Sequence, residues 1–148
     1  MHSVGITVYL VSCVSRKRAQ ECKAFELYVS DWFRKARLIV EASGCPWFIL
    51  SAEYGLVSPN QVIAPYERTL NSMGVADRRE WANRVVIQLT NTVPDLSCVT
   101  FLAGERYRTL LTQHLVDRGV KVSIPMRGLR IGEQLRWLGE HSPGHADA

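Results

Sequence analysis

The sequence lacks any run of the ~18 apolar residues that a helix needs to cross a bilayer. It also lacks a leader-like start, in which a basic region precedes an apolar stretch and a small-residue cleavage site. Val4–Val14 is short and leads straight into Ser15-Arg16-Lys17-Arg18, so it reads as a core strand, and the expected location is the cytoplasm with no membrane contact. Cysteine is sparse: Cys13, Cys22, Cys45 and Cys98 form no CxxC pair. His2, His114, His141 and His145 do not supply the close partners of a zinc site, so no metal is expected and the thiols read as small, reduced, apolar groups. A glycine-rich loop ending in GK[ST] is missing as well, which removes the P-loop, and no cofactor is expected. There is no internal repeat and no linker, so 1–141 reads as a single domain and Ser142–Ala148 as a frayed tail.

What is there fits a globular domain. A hydrophobic share of 47% in 148 residues is enough to bury a real core. The net charge of +4 is modest but unevenly spread. Arg16-Lys17-Arg18 form one cluster, and Arg34, Lys35 and Arg37 another on a helix. This permits nucleic-acid binding without requiring it, since solvated helix faces and a basic loop give the same totals.

Strand and helix patterns alternate. Gly5–Val11 is nearly continuous in β-branched, aromatic and aliphatic residues, the mark of a central strand covered on both faces. Cys45–Leu50, Val99–Ala103 and Val120–Ile124 read as the other three strands. Apolar residues three or four apart predict helices over Phe25–Ala42, Asp77–Thr92, a segment around Tyr107–Leu115, and Ile131–Leu138. The order predicts a single three-layer α/β domain, a four-stranded parallel sheet with helices on both faces. Ligands then bind beyond the carboxyl ends of the strands.

Three loops at those ends can carry chemistry. The first, Ser12-Cys13-Val14-Ser15-Arg16-Lys17-Arg18, offers hydroxyls, a thiol and three cations to a phosphate or a sugar edge. Cys13 reads either as a nucleophile activated by neighbouring positive charge or as packing at the end of a buried strand. The second, Ser51–Leu70, is long for a compact domain and stiffened by Pro59 and Pro65, with Gly55 allowing close backbone approach. It presents two carboxylates, Glu53 and Glu67, and two tyrosines, Tyr54 and Tyr66, a combination suited to stacking a nucleobase and binding its edge or activating water. The plainer reading is that Tyr66-Glu67-Arg68 pins the loop. The third, Ala103-Gly104-Glu105-Arg106-Tyr107, exposes a helix amino terminus at Gly104, with Arg106 and Tyr107 as candidate lining residues. Tyr107 reads equally well as the first apolar contact of its helix. Gly128–Gln134 after the fourth strand is a weaker candidate.

The segments Leu10–Arg18, Leu50–Pro59, Ile63–Glu67, Leu102–Tyr107 and Gly128–Leu138 resemble a bacterial and phage family of uncharacterised domains. Tyr54, Gly55, Pro59, Pro65 and Tyr66 are similar to the Tyr-Gly…Pro…Ile-x-Pro-Tyr signature of peroxide-stress YaaA proteins. A more distant likeness is to the base-modifying domain of archaeosine synthases. The resemblance implies modified-base or nucleic-acid handling and a uracil-DNA-glycosylase-like fold. This chain is shorter than the YaaA proteins and has no recognisable helix-hairpin-helix insertion. The water-activating Asp and catalytic His of uracil-DNA glycosylases have no counterpart placed by motif.

The leading expectation is a nucleic-acid base-processing enzyme, an N-glycosidase acting on a damaged or modified base in DNA more readily than RNA. The base would lie between Tyr54 and Tyr66, with Glu53 or Glu67 stabilising charge on the sugar and Arg16, Lys17, Arg18 and Arg106 holding phosphates. A non-catalytic nucleic-acid or nucleotide binder, and an N-glycosidase or transferase on free nucleosides, are the alternatives. The oligomeric state is left open.

Overall fold

The computed structural model describes residues 5–12 and 17–143. Strand β1 (Ile6–Ser12) is the middle of a five-stranded sheet of order β4-β3-β1-β6-β7. Its partners β3 (Trp47–Ser51) and β6 (Leu96–Leu102) run parallel to it, and β7 (Lys121–Ser123) runs parallel to β6. The sheet is therefore mostly parallel, as the alternation of strand and helix required, but it is not the expected four strands. A fifth, β4 (Gly55–Val57), turns back antiparallel on β3 within the segment that read as a loop. The intervening turn is closed by Ser51, whose hydroxyl accepts the Tyr54 amide at 3.0 Å.

Helices cover both faces, because β1, β3 and β6 are apolar on both sides. On one face Val11, Ile49 and Leu102 meet Phe33, Ala36 and Val40 of α2 (Asp31–Ser43) and Leu138 of α5 (Ile131–His141). On the other, Val8, Leu10, Val99 and Phe101 meet Trp81, Val85 and Leu89 of α3 (Val75–Thr92) and Leu111 and Leu115 of α4 (Glu105–Asp117). Successive strand residues such as Leu10 and Val11, or Phe101 and Leu102, enter opposite layers, which follows from the two-residue period of the strands.

The long helix expected over Phe25–Ala42 is interrupted. A single turn, α1 (Ala24–Leu27), ends at Tyr28 in extended backbone, and α2 starts afresh with Ser30 as its cap, the hydroxyl accepting the Phe33 amide at 3.2 Å. The apolar spacing runs through the break because Leu27 and Tyr28 are buried on the same side as Phe33. The Ser30 hydroxyl satisfies an amide that the break leaves without a helical acceptor.

Two further short elements clip the loops together. β2 (Cys22–Lys23) pairs antiparallel with β5 (Val62–Ile63), and the ribbon is continued by Ala24 N donating to Gln61 O and Phe25 N to Pro59 O. The segment after β1 and the segment after β4 are thus held side by side. No helix among the described residues is long and apolar enough to cross a membrane.

Candidate functional site

The chain passes from β1 to β3 on one side, then crosses to β6 and β7 on the other, so the direction of winding reverses between β1 and β6. In such sheets the usual ligand position is at that switch point, beyond the carboxyl ends of the two strands. Ser12 and Gly104 stand there. The buried Ser12 hydroxyl accepts the Gly104 amide at 2.9 Å, which fixes the ends of β1 and β6 against each other. Gly104 caps α4 with backbone in the extended region, and a Cβ there would meet nothing nearer than Tyr107 at 4.0 Å, so its glycine is not demanded by crowding.

Cys13, Ser15 and Arg16, expected to line the site, lie outside the described residues. Lys17 bridges antiparallel to Tyr28, and Arg18 is held by its Nε donating to Glu26 O at 2.8 Å. Lys17 Nζ lies 4.4 Å from the ring centroid of Tyr66 and 5.9 Å from that of Tyr28, within range of a cation–π contact. The phenol oxygens of Tyr28 and Tyr66 are 2.6 Å apart. Tyr54 approaches Tyr66 edge-on with centroids 5.5 Å apart, and its hydroxyl donates to Ala64 O at 3.2 Å.

These contacts gather five of the predicted residues, Lys17, Arg18, Tyr54, Tyr66 and Glu67. Lys17, Arg18, Pro65, Tyr66 and Glu67 line one depression of about 340 Å³. Tyr54 supports it from behind. The two tyrosines touch each other, so the expected gap between them for a base does not exist in this arrangement. Tyr28 is a member of the cluster that the sequence reading placed in a helix face. Its signal was the Ser30-Asp31 cap two residues later.

The other predicted residues go elsewhere. Glu53 is exposed, and it is the main-chain carbonyl that is engaged, accepting from Arg84 Nη2 at 3.2 Å. Gly55 is buried with φ of +77°, and the Gln88 amide oxygen stands 2.5 Å from where its Cβ would be. The same oxygen accepts the Leu56 amide at 2.9 Å. Tyr107 is buried in the α3–α4 core, edge-on to Trp81 at 5.7 Å, which is the plainer of its two readings. Trp81 in turn donates to Ser51 O at 2.9 Å. Arg106 is exposed and lines a separate depression with Arg78 and Glu105. A groove of about 420 Å³ between the turn after β3 and α3, lined by Ala52, Arg68, Trp81 and Arg84 among others, had no counterpart in the sequence reading. Among the described residues, no three His, Cys, Asp or Glu side chains converge in a way that would hold a metal.

A family model matches residues 8–140, from the third residue of β1 to the penultimate residue of α5, and so takes in nearly all of the sheet and all three loops. The chain belongs to DUF6884, a family of unknown function. No curated protein matches it. The DUF6884 match includes every element that positions the Lys17–Glu67 depression, so that site lies within the family domain.

Proposed function

We infer that the protein is a nucleic-acid base-processing enzyme, an N-glycosidase that removes a damaged or modified base from DNA in preference to RNA. The observation that carries this reading is the convergence of a phenol, a carboxylate and two cations, Tyr66, Glu67, Lys17 and Arg18, on one depression beside the carboxyl ends of parallel strands. In the proposed reaction water adds to C1′ of the sugar, and the base leaves with the bonding electron pair and collects a proton. Glu67 stabilises the positive charge that develops on the sugar and orients the water, while Lys17 and Arg18 hold the flanking phosphates. Glu67 takes precedence over Glu53 because it lines the depression. The base enters beside Tyr66, not between the two tyrosines.

Further support is the likeness of Tyr54, Gly55, Pro59, Pro65 and Tyr66 to the YaaA signature, and of the domain to archaeosine synthase. On this reading the fold is kin to the uracil-DNA glycosylases and the enzyme, a hydrolase, acts in the cytoplasm, where its nucleic acid is. A second reading, a binder without turnover, is favoured by one observation: Glu53 and Glu67 are both exposed, so the site excludes little water.

Mass spectrometry of bases released from normal, damaged and hypermodified DNA and RNA tests the proposal. Free base released by the protein and not by Glu67→Gln supports it. Release that Glu67→Gln leaves unchanged removes Glu67 from the reaction. Binding that falls steeply with salt, with no release from any substrate, favours the binder.

A further inference from the structure

On the opposite flank of the sheet, α4 and the turn after β7 enclose a second depression of about 480 Å³, whose lining includes Glu105, Arg108, Thr109, Gln113 and Arg127. Arg108 Nε is closed to solvent and has no hydrogen-bond partner among the described residues. Such an orphaned donor is rare and unfavourable in a native fold. Neither Arg108 nor Arg127 is ion-paired among the described residues, where the salt bridges are i,i+4 pairs on α2 and α5. Two guanidinium charges outnumber the one carboxylate on the wall, so the depression is cationic on balance.

The geometry points to a phosphate-binding subsite here, with Arg108 and Arg127 as its cations. A guanidinium presents its Nε–H and one Nη–H as a planar fork that matches two oxygens of a phosphate. Turning Arg108 toward the depression lets a phosphate oxygen accept from its orphaned donor. Thr109 adds a hydroxyl donor on the same wall.

A neighbouring depression of about 350 Å³ shares Glu105 and Thr109 and adds Arg106 and Arg78, the latter with its Nε donating to Leu70 O at 2.8 Å and its charge facing the rim. Two arginine pairs therefore flank one rim, an arrangement suited to successive phosphates of a polynucleotide backbone. A free phosphate compound would use the same chemistry at one of the pairs. The subsite does not depend on base release, and its test needs none.

The test uses the full chain and two variants. Arg127→Ala removes an exposed charge, and Arg108→Lys keeps the charge but loses the planar fork. A thermal melt of each confirms the fold. Inorganic phosphate and pyrophosphate are titrated by calorimetry, and a fluorescein-labelled 20-base-pair duplex by anisotropy over a range of salt. Each variant is expected to weaken binding by roughly fivefold or more, and Arg127→Ala to lower the salt slope on the duplex by about 0.9. Losses seen on the duplex identify the backbone as the source of the phosphate. Losses confined to phosphate or pyrophosphate identify a free phosphate compound. Affinities unchanged in both variants for all three probes overturn the subsite.

Discussion

The hydroxyls of Tyr28 and Tyr66 meet at 2.6 Å although the residues are 38 positions apart. That contact joins the extended break between α1 and α2 to the stiff Pro65 segment, and Tyr54 closes against the same ring. Tyr28→Phe and Tyr66→Phe should each destabilise the fold, and the double variant should cost less than their sum. The coupling expected for one neutral hydrogen bond is about 0.5–1.5 kcal/mol. Urea unfolding of the four proteins measures it, and strict additivity would show that the two hydroxyls do not act as a pair.

Ser12 and Gly104 make the corresponding tie between β1 and β6. In Ser12→Ala the Gly104 amide loses its acceptor at a partly buried position, a loss of about 1 kcal/mol. The variant should also weaken binding at the Lys17–Glu67 depression, since β1 ends at Ser12, five positions before Lys17. A urea midpoint equal to that of the parent would mean that the amide finds another acceptor.

Gly55→Ala is expected to be worse than an ordinary glycine replacement. The backbone there has φ of +77°, and the new Cβ would press on the Gln88 amide oxygen. Moving Gln88 aside uncaps the Leu56 amide, so strain and a lost hydrogen bond add to more than about 2 kcal/mol. Gln88→Ala alone should cost less, and in the Gln88→Ala background Gly55→Ala should lose part of its penalty. Equal penalties in both backgrounds would dismiss the clash.

Tyr9 gives the fold an alkaline limit. Burial first, and then the negative charge of the Cys45 and Cys98 thiolates, raise its hydroxyl above the ordinary value of 10.0. The folded protein thus holds that proton more tightly than the unfolded chain. Stability from this source is complete below pH 10 and declines as the pH rises beyond it. Tyr9→Phe should flatten the decline between about pH 9 and about pH 11 and leave the neutral plateau's slope unaltered. Urea unfolding across that range checks it, and an unchanged alkaline arm would assign the loss to other groups.

The sheet and its four long helices were legible because two-residue and 3.6-residue hydrophobic periods are local. Gly5–Val11 read as a central strand and is one, since both its faces are apolar. The break at Tyr28 was obscured because that residue keeps the helical apolar spacing while its backbone is extended. β4 was obscured for a different reason: Gly55-Leu56-Val57 is too short to show a period, and its antiparallel pairing with β3 depends on the turn closed by Ser51. At the site, Tyr66, Glu67, Lys17 and Arg18 were named from residue type and loop length. Loop membership could not say that Glu53 turns to solvent, or that Tyr107 faces the α3–α4 core, since those outcomes depend on which side of the sheet each chain segment leaves.

Gln88 has a consequence for how the molecule behaves among its own kind. The Leu56 amide, at the middle of β4, is the group an incoming strand would need on that flank, and it is already occupied. Among the described residues, the other margin of this sheet is the three-residue β7 at Lys121–Ser123. The Lys121–Ser123 margin is therefore the easier place for a second copy to add a strand.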